Sequence, residues 1–291
     1  MNQLDVSPDR LLVASLFQPA LIPRKSDAHK GDAGSVAVIG GEAGMQGAVV
    51  LASRAALLMG AGRVYSVMLA CDKPALDMNY PEIMLRTPDN LSQVKQLDAL
   101  VIGPGLGLSD TAVACLDYWL GQDLPLLLDA DALNLLAQQA HLLAVCQART
   151  AETVITPHAG EAARLLGTSS AIVQQNRLES AVKLAEKFHA SCVLKGQASI
   201  CAHHTGHYFV NTSGNPSLAA AGMGDVLSGM TGSLMAQGLA GFDAIKLAVY
   251  VHGAAADKLV SEGVGPFGLT ASELSVAART VLNRLNGSQR P

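Results

Sequence analysis

Short β-branched apolar runs alternate with longer stretches in which apolar residues recur at helical spacing along most of the chain. A strand buried on both faces consists of such a continuous apolar run, whereas an amphipathic helix repeats its apolar residues with each turn. The runs that predict buried strands lie at residues 35–40, 63–69, 98–102, 125–128, 153–156 and 191–194. Because strands and helices alternate, we predict an α/β fold with a central, mostly parallel sheet and helices on both faces.

The stretches between and after these strands predict the helices. They cover residues 48–59, 109–121, a segment from 132, a segment ending at 166, and then 172–189, 219–237, 240–259 and 271–285. An irregular segment with several prolines predicts one short strand at 82–86. Thr205 and Gly206 predict the turn of a β-hairpin at the sheet edge, formed by residues 199–203 and 207–210.

Residues 1–34 precede the first predicted strand. Ser7 followed by Pro8 is typical of a helix start, so we predict a short N-terminal helix and then a surface arm. No change in composition marks a linker between two units. We therefore predict a single domain over residues 1–291.

The composition narrows the classes of function. Of the 291 residues, 49% are hydrophobic, 15% are charged and 28 are glycine, which suits helices packed on a buried parallel sheet. A net charge of −4 provides no basic surface for nucleic acid or an anionic membrane, so we expect neither partner. No apolar window reaches the roughly eighteen residues that a membrane helix needs. The 5 cysteines are scattered and include no C-x-x-C pair, which indicates free thiols and a cytoplasmic location.

Loops rich in glycine and polar residues follow the predicted strands. The carboxyl ends of parallel strands share one edge of a sheet, so these loops are expected to ring one crevice. They cover residues 40–47, 103–107, 129–134, 157–161 and 195–199, and the crevice is closed by 211–225. No loop has the G-x-G-x-x-G spacing of a dinucleotide fold or the spacing of a P-loop.

The glycine-rich segment 211–229 precedes an apolar helical run and contains a single acid, Asp225. Gly222 and Gly224 can adopt positive φ, which allows backbone N–H groups to converge on an anion at the start of the helix. Asp225 could act there as a general base, or it could simply cap the helix. The residues alone leave both interpretations open.

Other polar residues in these loops also have a structural and a functional interpretation. Lys195 and Gly196 could hold a nucleotide phosphate or lie on the surface. His158 could contact a ligand or be structural. Asp129 and Asp131 could share Mg²⁺ through water, although capping of the helix at 132 is the favoured role for Asp131.

A zinc site is a further alternative in the predicted hairpin. Its side chains include the ligand types that zinc prefers: Cys201, His203, His204 and His207. Their spacing fits a hairpin whose side chains alternate between the two faces, and no second ligand pair has matching spacing. A structural role for these four side chains is therefore favoured over metal binding.

Taken together, five ordered segments resemble the ADP/ATP-dependent NAD(P)H-hydrate dehydratases of the ribokinase-like superfamily. The segments are DALVIGPGLG (98–107), LLLDADALNLL (126–136), VITPHAGEAARLLG (154–167), the Lys195-Gly196 turn and GNPSLAAAGMGDVLSGMTGSLMAQG (214–238). The resemblance implies a ribokinase-like fold. It also implies a repair enzyme that uses ADP or ATP to dehydrate the (S) forms of the nicotinamide hydrates NADHX and NADPHX to NADH and NADPH.

The same resemblance implies roles for individual residues. Asp225 would be the catalytic base, and the N–H groups of residues 222–225 would stabilise charge on the transferred phosphoryl group. The substrate would contact Ala48, Gly107, His158 and Asp225, with Asn134 assisting. The AMP part of the nucleotide would contact Lys195, Gly196, Gln197, Ala198, Ser199 and Gly224. The family usually has Lys-Gly-x-Gly-Thr here, so Ala198 replaces a glycine and the loop is expected to be less permissive.

The resemblance also implies Mg²⁺ as a cofactor, a homotetramer, and a separate NAD(P)HX epimerase, because the arm before Lys30 is too short to be one. The alternative is a small-molecule kinase of the same superfamily that phosphorylates a vitamin precursor and uses Asp225 in the same way. A nucleotide-binding regulator without turnover is a third interpretation.

Overall fold

The strands of the computed structural model, which describes residues 6–17, 29 and 31–287, form one sheet. Within these described ranges the strands are β1 (Ser35–Gly40), β2 (Arg63–Met68), β3 (Met84–Arg86), β4 (Ala99–Ile102), β5 (Leu126–Leu128), β6 (Thr153–Ile155), β7 (Ser191–Leu194), β8 (Ile200–His203) and β9 (Tyr208–Val210). They are arranged in the order β3-β2-β1-β4-β5-β6-β7-β8-β9. All pairs up to β7 are parallel, whereas β8 and β9 are added antiparallel.

The α-helices connect these strands and complete the chain. In the described ranges they are α1 (Gln46–Leu58), α2 (Pro88–Ser92), α3 (Asp110–Leu120), α4 (Asp131–Gln138), α5 (Ala140–Gln147), α6 (Ala159–Leu166), α7 (Ser170–Gln175), α8 (Arg177–Phe188), α9 (Met223–Ala236), α10 (Gly241–Ser261) and α11 (Ala271–Leu285). Among the described residues, no helix combines the length and apolar character that crossing a membrane requires.

Side chains that alternate across the sheet build two hydrophobic cores. In β1, Val36 and Val38 pack into the core that contains α1, α9, α10 and α11. The intervening Ala37 and Ile39 pack into the opposite core, which contains α3 to α8. All of β1 is buried, because helices cover both faces of the sheet. The predicted α/β fold with a mostly parallel sheet is confirmed.

Helix α9 packs against both α1 and the sheet and is buried along almost its whole length. A Cβ atom at Gly229 would overlap the carbonyl oxygen of Ala52 in α1, and one at Gly232 would overlap the side chain of Val101 in β4. Glycine at both positions therefore allows the helix backbone to approach its neighbours closely. This packing fixes the position of the first turn of α9.

The predicted N-terminal helix is wrong within the described residues 6–17. Only two 3₁₀ turns occur there, Pro8–Arg10 and Ala14–Leu16, and Ser7 makes no capping hydrogen bond to the backbone. The segment between the turns is extended instead, because the N–H of Leu12 donates to the carbonyl of Val210 in β9 at 3.0 Å. Most of the predicted arm, residues 18–28 and 30, lies outside the described residues.

Two predicted helices have different bounds. The helix predicted over 172–189 is divided into α7 and α8 at Asn176, whose φ of −126° and ψ of 50° are not helical. The Asn176 side chain donates to the carbonyl of Ile172, an example of how asparagine competes with the helical backbone. The helix predicted over 219–237 begins only at Met223, since Gly222 has the left-handed φ of 84°. The short strand predicted at 82–86 is limited to β3.

Candidate functional site

The carboxyl ends of β1 and β4 form the centre of the candidate site. The strand order reverses between these two neighbours, which is where open α/β sheets bind their ligands. The loops that follow them contact each other: the N–H of Gly41 donates to the carbonyl of Pro104 at 3.0 Å, and the N–H of Glu42 donates to that of Gly105 at 2.7 Å. Two of the predicted loops are thus joined into one wall.

Two of the predicted substrate-binding residues lie on this wall. Ala48 is in the first turn of α1, where its side chain lies against Gly105. Gly107 is buried and has a φ of 76°. This φ favours glycine, and a Cβ atom at Gly107 would also displace the carboxylate of Glu42.

The first turn of α9 has free backbone donors at the same edge. Gly222 is its N-cap residue and has no side chain, and the first intrahelical bond runs from the N–H of Val226 to the carbonyl of Gly222. The N–H groups of residues 223–225 therefore have no intrahelical acceptor, which favours an anion at this position. Asp225 is the third residue of the helix and does not cap it, so the capping interpretation is wrong. Gly224 is helical, and the expectation that it adopts positive φ is also wrong.

The carboxyl group of Asp225 is mostly buried and next to other acids. Burial and the charge of Asp129 raise its pKa to about 6, while the charge of Lys195 acts in the opposite direction. A carboxylate with this pKa is ionised at neutral pH yet holds a proton more strongly than a solvated aspartate. Both properties suit a general base.

Lys195 lies opposite the first turn of α9. Its Nζ atom donates to Oδ1 of Asp129 at 2.7 Å, and Oδ2 of Asp129 accepts from Oγ of Ser228 at 2.7 Å. The side chain of Asp129 is 2% exposed and that of Lys195 is 19% exposed. Lys195 is also close to Gly224, where a Cβ atom would lie 3.4 Å from Nζ. The surface alternative for Lys195 is therefore wrong, and the ammonium group is held at the start of α9.

The loop that follows Lys195 also has free backbone donors. The N–H groups of residues 196–199 donate to no other group in the described part of the chain. Gly196 has a φ of 140° and Ala198 one of 54°, so both residues depart from the usual backbone regions. Successive N–H groups in such a turn form a concave anion-binding surface. Ala198 adopts the left-handed conformation that glycine would adopt without strain.

Arg177 lies beneath this loop, although its sequence position provides no indication of a role. Its guanidinium donates to the carbonyls of Leu194 at 3.1 Å, Lys195 at 3.4 Å and Ala198 at 3.4 Å. The break between α7 and α8 brings Arg177 to this position, and periodicity predicted one continuous helix there. The sequence signal for this break is Asn176, because asparagine is unfavourable in the interior of a helix.

His158 caps α6 and also borders the site. Its Nδ1 accepts from the N–H groups of Gly160 at 2.9 Å and Glu161 at 3.2 Å, and the N–H of His158 donates to Oε2 of Glu161 at 2.7 Å. Nδ1 is therefore the acceptor, and Nε2 carries the proton of the neutral ring. The imidazole is 55% exposed, whereas the carboxyl group of Glu161 is buried and burial raises its pKa to about 7. Burial and the charge of Lys195 lower the pKa of His158, so the ring remains neutral at pH 7.

Asp131 and Asn134 link this edge to the wall at Gly107. Oδ2 of Asp131 accepts from the N–H of Gly107 at 3.0 Å, and Oδ1 accepts from Nδ2 of Asn134 at 3.2 Å. Oδ1 of Asn134 accepts from Nε of Arg164 at 3.0 Å. Capping by Asp131 is wrong, because the helix begins at Asp131 itself and its N-cap residue is Ala130.

The side chains considered for zinc lie away from this edge. Cys201 is fully buried, and the rings of His203 and His204 stack with centroids 4.0 Å apart near the far end of β8. Among the described residues, no three side chains of His, Cys, Asp or Glu are arranged to hold a metal ion.

A groove with a volume of about 580 Å³ opens beside the start of α9. It lies between the segment that leads into Gly222 and the start of α11, and Leu51 forms part of its wall. Leu51 is one helical turn after Ala48, on the same face of α1. The groove therefore extends the wall that contains Ala48.

The chain is similar to proteins of one family. A family model described as NAD(P)H-hydrate dehydratase matches residues 36–278. An ADP-dependent (S)-NAD(P)H-hydrate dehydratase from Neisseria meningitidis serogroup B is 43% identical over 285 residues, which cover 96% of this chain and 95% of that protein. A bifunctional NAD(P)H-hydrate repair enzyme from Coxiella burnetii is 41% identical over 278 residues, which cover 94% of this chain and 55% of that protein. The chain thus spans about half the length of this bifunctional relative.

Two solved structures are similar over nearly the whole chain. The ADP/ATP-dependent NAD(P)H-hydrate dehydratase from Bacillus subtilis, co-crystallised with ATP and Mg²⁺, has a TM-score of 0.82 and 28% identity, with 97% of this chain and 100% of that chain covered. A ribokinase-like superfamily protein from Enterococcus faecalis has a TM-score of 0.83 and 28% identity, with 95% of this chain and 96% of that chain covered. Both likenesses confirm the ribokinase-like fold that the sequence motifs implied.

Proposed function

The chain belongs to the NAD(P)H-hydrate dehydratase family, and we propose that it uses ADP or ATP to dehydrate (S)-NADHX and (S)-NADPHX to NADH and NADPH. One observation supports this most directly. Asp225 lies in the first turn of a helix that has no side-chain cap, where the N–H groups of residues 223–225 are free, and the ammonium group of Lys195 lies close to Gly224. A base next to anion-binding donors is the arrangement that phosphoryl transfer to a hydroxyl requires.

The proposed first step is transfer of a phosphoryl group. Asp225 takes the proton of the substrate hydroxyl while the hydroxyl oxygen attacks the terminal phosphorus of the nucleotide. The bond between that phosphorus and the bridging oxygen breaks, which leaves AMP from ADP or ADP from ATP. The N–H groups of residues 223–225 stabilise the negative charge that is spread over the phosphoryl oxygens.

The second step is elimination. Hydroxide is a poor leaving group, and phosphate is a good one. The carbon–oxygen bond breaks with its electron pair on phosphate, the neighbouring carbon gives a proton to the released phosphate or to water, and the electron pair of that C–H bond restores the ring double bond. The net reaction removes water from the hydrate and hydrolyses one phosphoanhydride bond.

The other site residues have binding roles in this proposal. The nicotinamide hydrate lies along the wall of Ala48 and Gly107, with His158 and Asn134 at its other side. His158 acts as a neutral N–H donor, since its Nδ1 is used by the helix cap. The AMP part of the nucleotide is held by Lys195, Gly196, Gln197, Ala198, Ser199 and Gly224. The groove beside Leu51 provides room for a dinucleotide, which is much larger than a vitamin alcohol.

Mg²⁺ fits this site as a companion of the nucleotide phosphates. Mg²⁺ usually takes one or two carboxylates and completes its shell with phosphate oxygens and water, so it needs no cluster of three protein ligands. Glu161 is a buried acid at this edge, as is Asp129, and a cation nearby would favour the ionised form of Glu161. We propose that Glu161 holds the ion, which would neutralise phosphate charge.

Four further expectations remain proposals. One sheet contains all the described strands, which supports a single domain over residues 1–291. All five cysteines are free, which supports a cytoplasmic location. Homotetramer formation and the supply of the (S) hydrate by a separate epimerase follow from the family resemblance.

The proposed function is tested by incubating the purified protein with (S)-NADHX and ADP. We expect the near-ultraviolet absorbance of NADH to appear, together with AMP and phosphate in equal amounts, and no reaction without nucleotide. The same assay with (S)-NADPHX measures the preference between the two hydrates, and the assay with ATP measures the preference between the two nucleotides. Phosphorylation of a hydroxymethylpyrimidine or thiazole alcohol without any NADH formation would instead identify a vitamin-precursor kinase.

A further inference from the structure

Three carbonyl groups around the nucleotide loop, residues 194–199, turn toward one side chain. They are the acceptors of Arg177 described above, and they belong to Leu194, Lys195 and Ala198. The carbonyl of Gly196 is also occupied, because it accepts from Oγ of Ser199 at 3.0 Å. These four carbonyls are thus hydrogen-bonded within the protein.

The orientation of these carbonyls determines where the N–H groups point. In a trans peptide, the C=O of one residue and the N–H of the next point in opposite directions. When Arg177 draws the carbonyls of Lys195 and Ala198 toward α8, the N–H groups of Gly196 and Ser199 point away from it. These N–H groups have no acceptor in the described part of the chain. Arg177 therefore determines which side of the loop can bind an anion.

The guanidinium lies closely against the loop. An ideal Cβ atom at Gly196 would lie 2.9 Å from Nη1 and 3.4 Å from Cζ of Arg177. Among the described residues, Arg177 forms no ion pair, and its Nε is buried without a hydrogen-bond partner. Its Nη1 also donates to Oε1 of Gln174 at 3.3 Å. Burial lowers the pKa of Arg177. Arg177 as a whole is half-buried, and anionic charge near its guanidinium would stabilise it.

We propose that Arg177 is a positioning residue for nucleotide binding: it holds the carbonyls of Leu194, Lys195 and Ala198 inward so that the N–H groups of Gly196 and Ser199 face the phosphates of ADP or ATP. Arg177 does not touch the reacting atoms. This inference rests on the proposed function for the identity of the nucleotide, and it adds a determinant of affinity that the sequence motifs do not contain.

The chain contains a matched control in Arg149. Its guanidinium also donates to backbone carbonyls, including those of Leu120, Gln122 and Leu124, and burial also lowers its pKa. These carbonyls belong to the end of α3 and the turn before β5, at the opposite edge of the sheet from Asp225. Loss of either arginine removes the same type of contact, and only Arg177 lies at the nucleotide loop.

The test compares Arg177→Met, Arg177→Lys and Arg149→Met in the full-length protein. For each we measure the Kd for ADP by calorimetry, KM for ADP, KM for (S)-NADHX, kcat and Tm. For Arg177→Met we expect the Kd and KM for ADP to rise by at least about tenfold. This change corresponds to the loss of one or two charged hydrogen bonds. KM for the hydrate and kcat at saturating ADP should change by less than about threefold, and Arg177→Lys should recover part of the affinity. Arg149→Met should lower Tm without changing the Kd for ADP.

Two results would overturn the inference. One is an unchanged Kd for ADP in a folded Arg177→Met protein. The other is an equal rise of both KM values in Arg177→Met and Arg149→Met, since that would indicate a general loss of stability. If the wild-type protein binds ADP but forms no NADH, the proposed function fails while the calorimetric comparison still decides the role of Arg177. If the wild-type protein binds neither ADP nor ATP, both proposals are wrong.

Discussion

Two segments at the carboxyl edge of the sheet present free backbone N–H groups, and the fold holds them in different ways. In the nucleotide loop, residues 194–199, three carbonyls are held by the long side chain of Arg177. The first turn of α9 is held by contact between backbones, because Gly229 brings α9 against the carbonyl oxygen of Ala52. A side chain can rotate, whereas two packed helices cannot easily separate.

This difference fits the roles that we propose for the two segments. The reacting hydroxyl must meet Asp225 with little positional freedom, since small misplacements of reacting groups are costly. The nucleotide only has to bind and be released again. The acid therefore lies on the rigidly packed element, and the phosphate-binding loop is the more adjustable one.

Replacement of Asp225 should have the largest effect. Asp225→Asn keeps the size of the side chain but cannot accept the hydroxyl proton, so we expect kcat to fall by at least about a hundredfold. The measurement is NADH formation at saturating ADP and (S)-NADHX. Asp243→Asn is the matched control, because Asp243 is also the third residue of a helix, α10, and pairs with Lys246 at the protein surface. A normal rate for Asp225→Asn would remove Asp225 as the base.

Disruption of the α9 packing should have the next largest effect. A methyl group in Gly229→Ala would meet a backbone oxygen of α1 that cannot rotate away. We expect a loss of stability of about 1–3 kcal/mol by overpacking, together with a lower kcat because Asp225 moves. Denaturant unfolding and steady-state kinetics measure both. Gly121→Ala is the control, since its Cβ atom would lie 3.5 Å from its nearest neighbour. Unchanged stability of Gly229→Ala would contradict the proposed rigidity of this segment.

The pH dependence of activity and of stability tests the role of Asp225 directly. The pKa of Asp225 is raised to about 6, so the base is ionised above pH 6. We expect kcat/KM to decline below pH 6, by about tenfold per pH unit once the base is protonated. The pKa of Asp225 is higher in the folded protein than in the unfolded protein. The free energy of unfolding of the wild-type protein therefore decreases as the pH rises through 6. Asp225→Asn should therefore be more stable than wild type at pH 8 and lose this advantage below pH 4. A pH-independent difference would contradict the buried position of Asp225.

The smallest effect is expected from the substitution of Ala198 in the nucleotide loop. Ala198 has a φ of 54°, a conformation that costs an alanine about 1 kcal/mol more than a glycine. Ala198→Gly relieves this strain but increases the freedom of the unfolded chain, so we expect a net gain of at most about 1 kcal/mol. Tm should rise by a few degrees or less, and KM for ADP should change little. Clear destabilisation would show that the left-handed conformation of Ala198 carries no strain.

The layered fold could be predicted from the sequence because its signals are local. Each parallel strand is a continuous apolar run. The shared edge of the site could also be predicted, since parallel strands place their following loops together. His158 was expected at the substrate, but its capping of α6 depends on the hydrogen bonds of a folded turn.

The supporting contacts could not be predicted because they join distant parts of the chain. Asp129 and Lys195 are 66 positions apart, and Asp129 and Ser228 are 99 apart. Arg177 acquires its role only because the helix is interrupted at Asn176. No periodicity or motif records these pairings, since each depends on how the helices pack on the sheet.

The extended segment around Leu12 has a consequence for behaviour at high concentration. β9 is the last strand of the sheet, and its outer edge would otherwise offer unpaired N–H and C=O groups. Leu12 bonds to Val210 at this edge, and Leu12 and Phe17 are both buried in the core. A strand from another molecule would have to displace this anchored segment before it could pair with β9. The N-terminal segment thus opposes strand pairing with another molecule at the Val210 end of this edge.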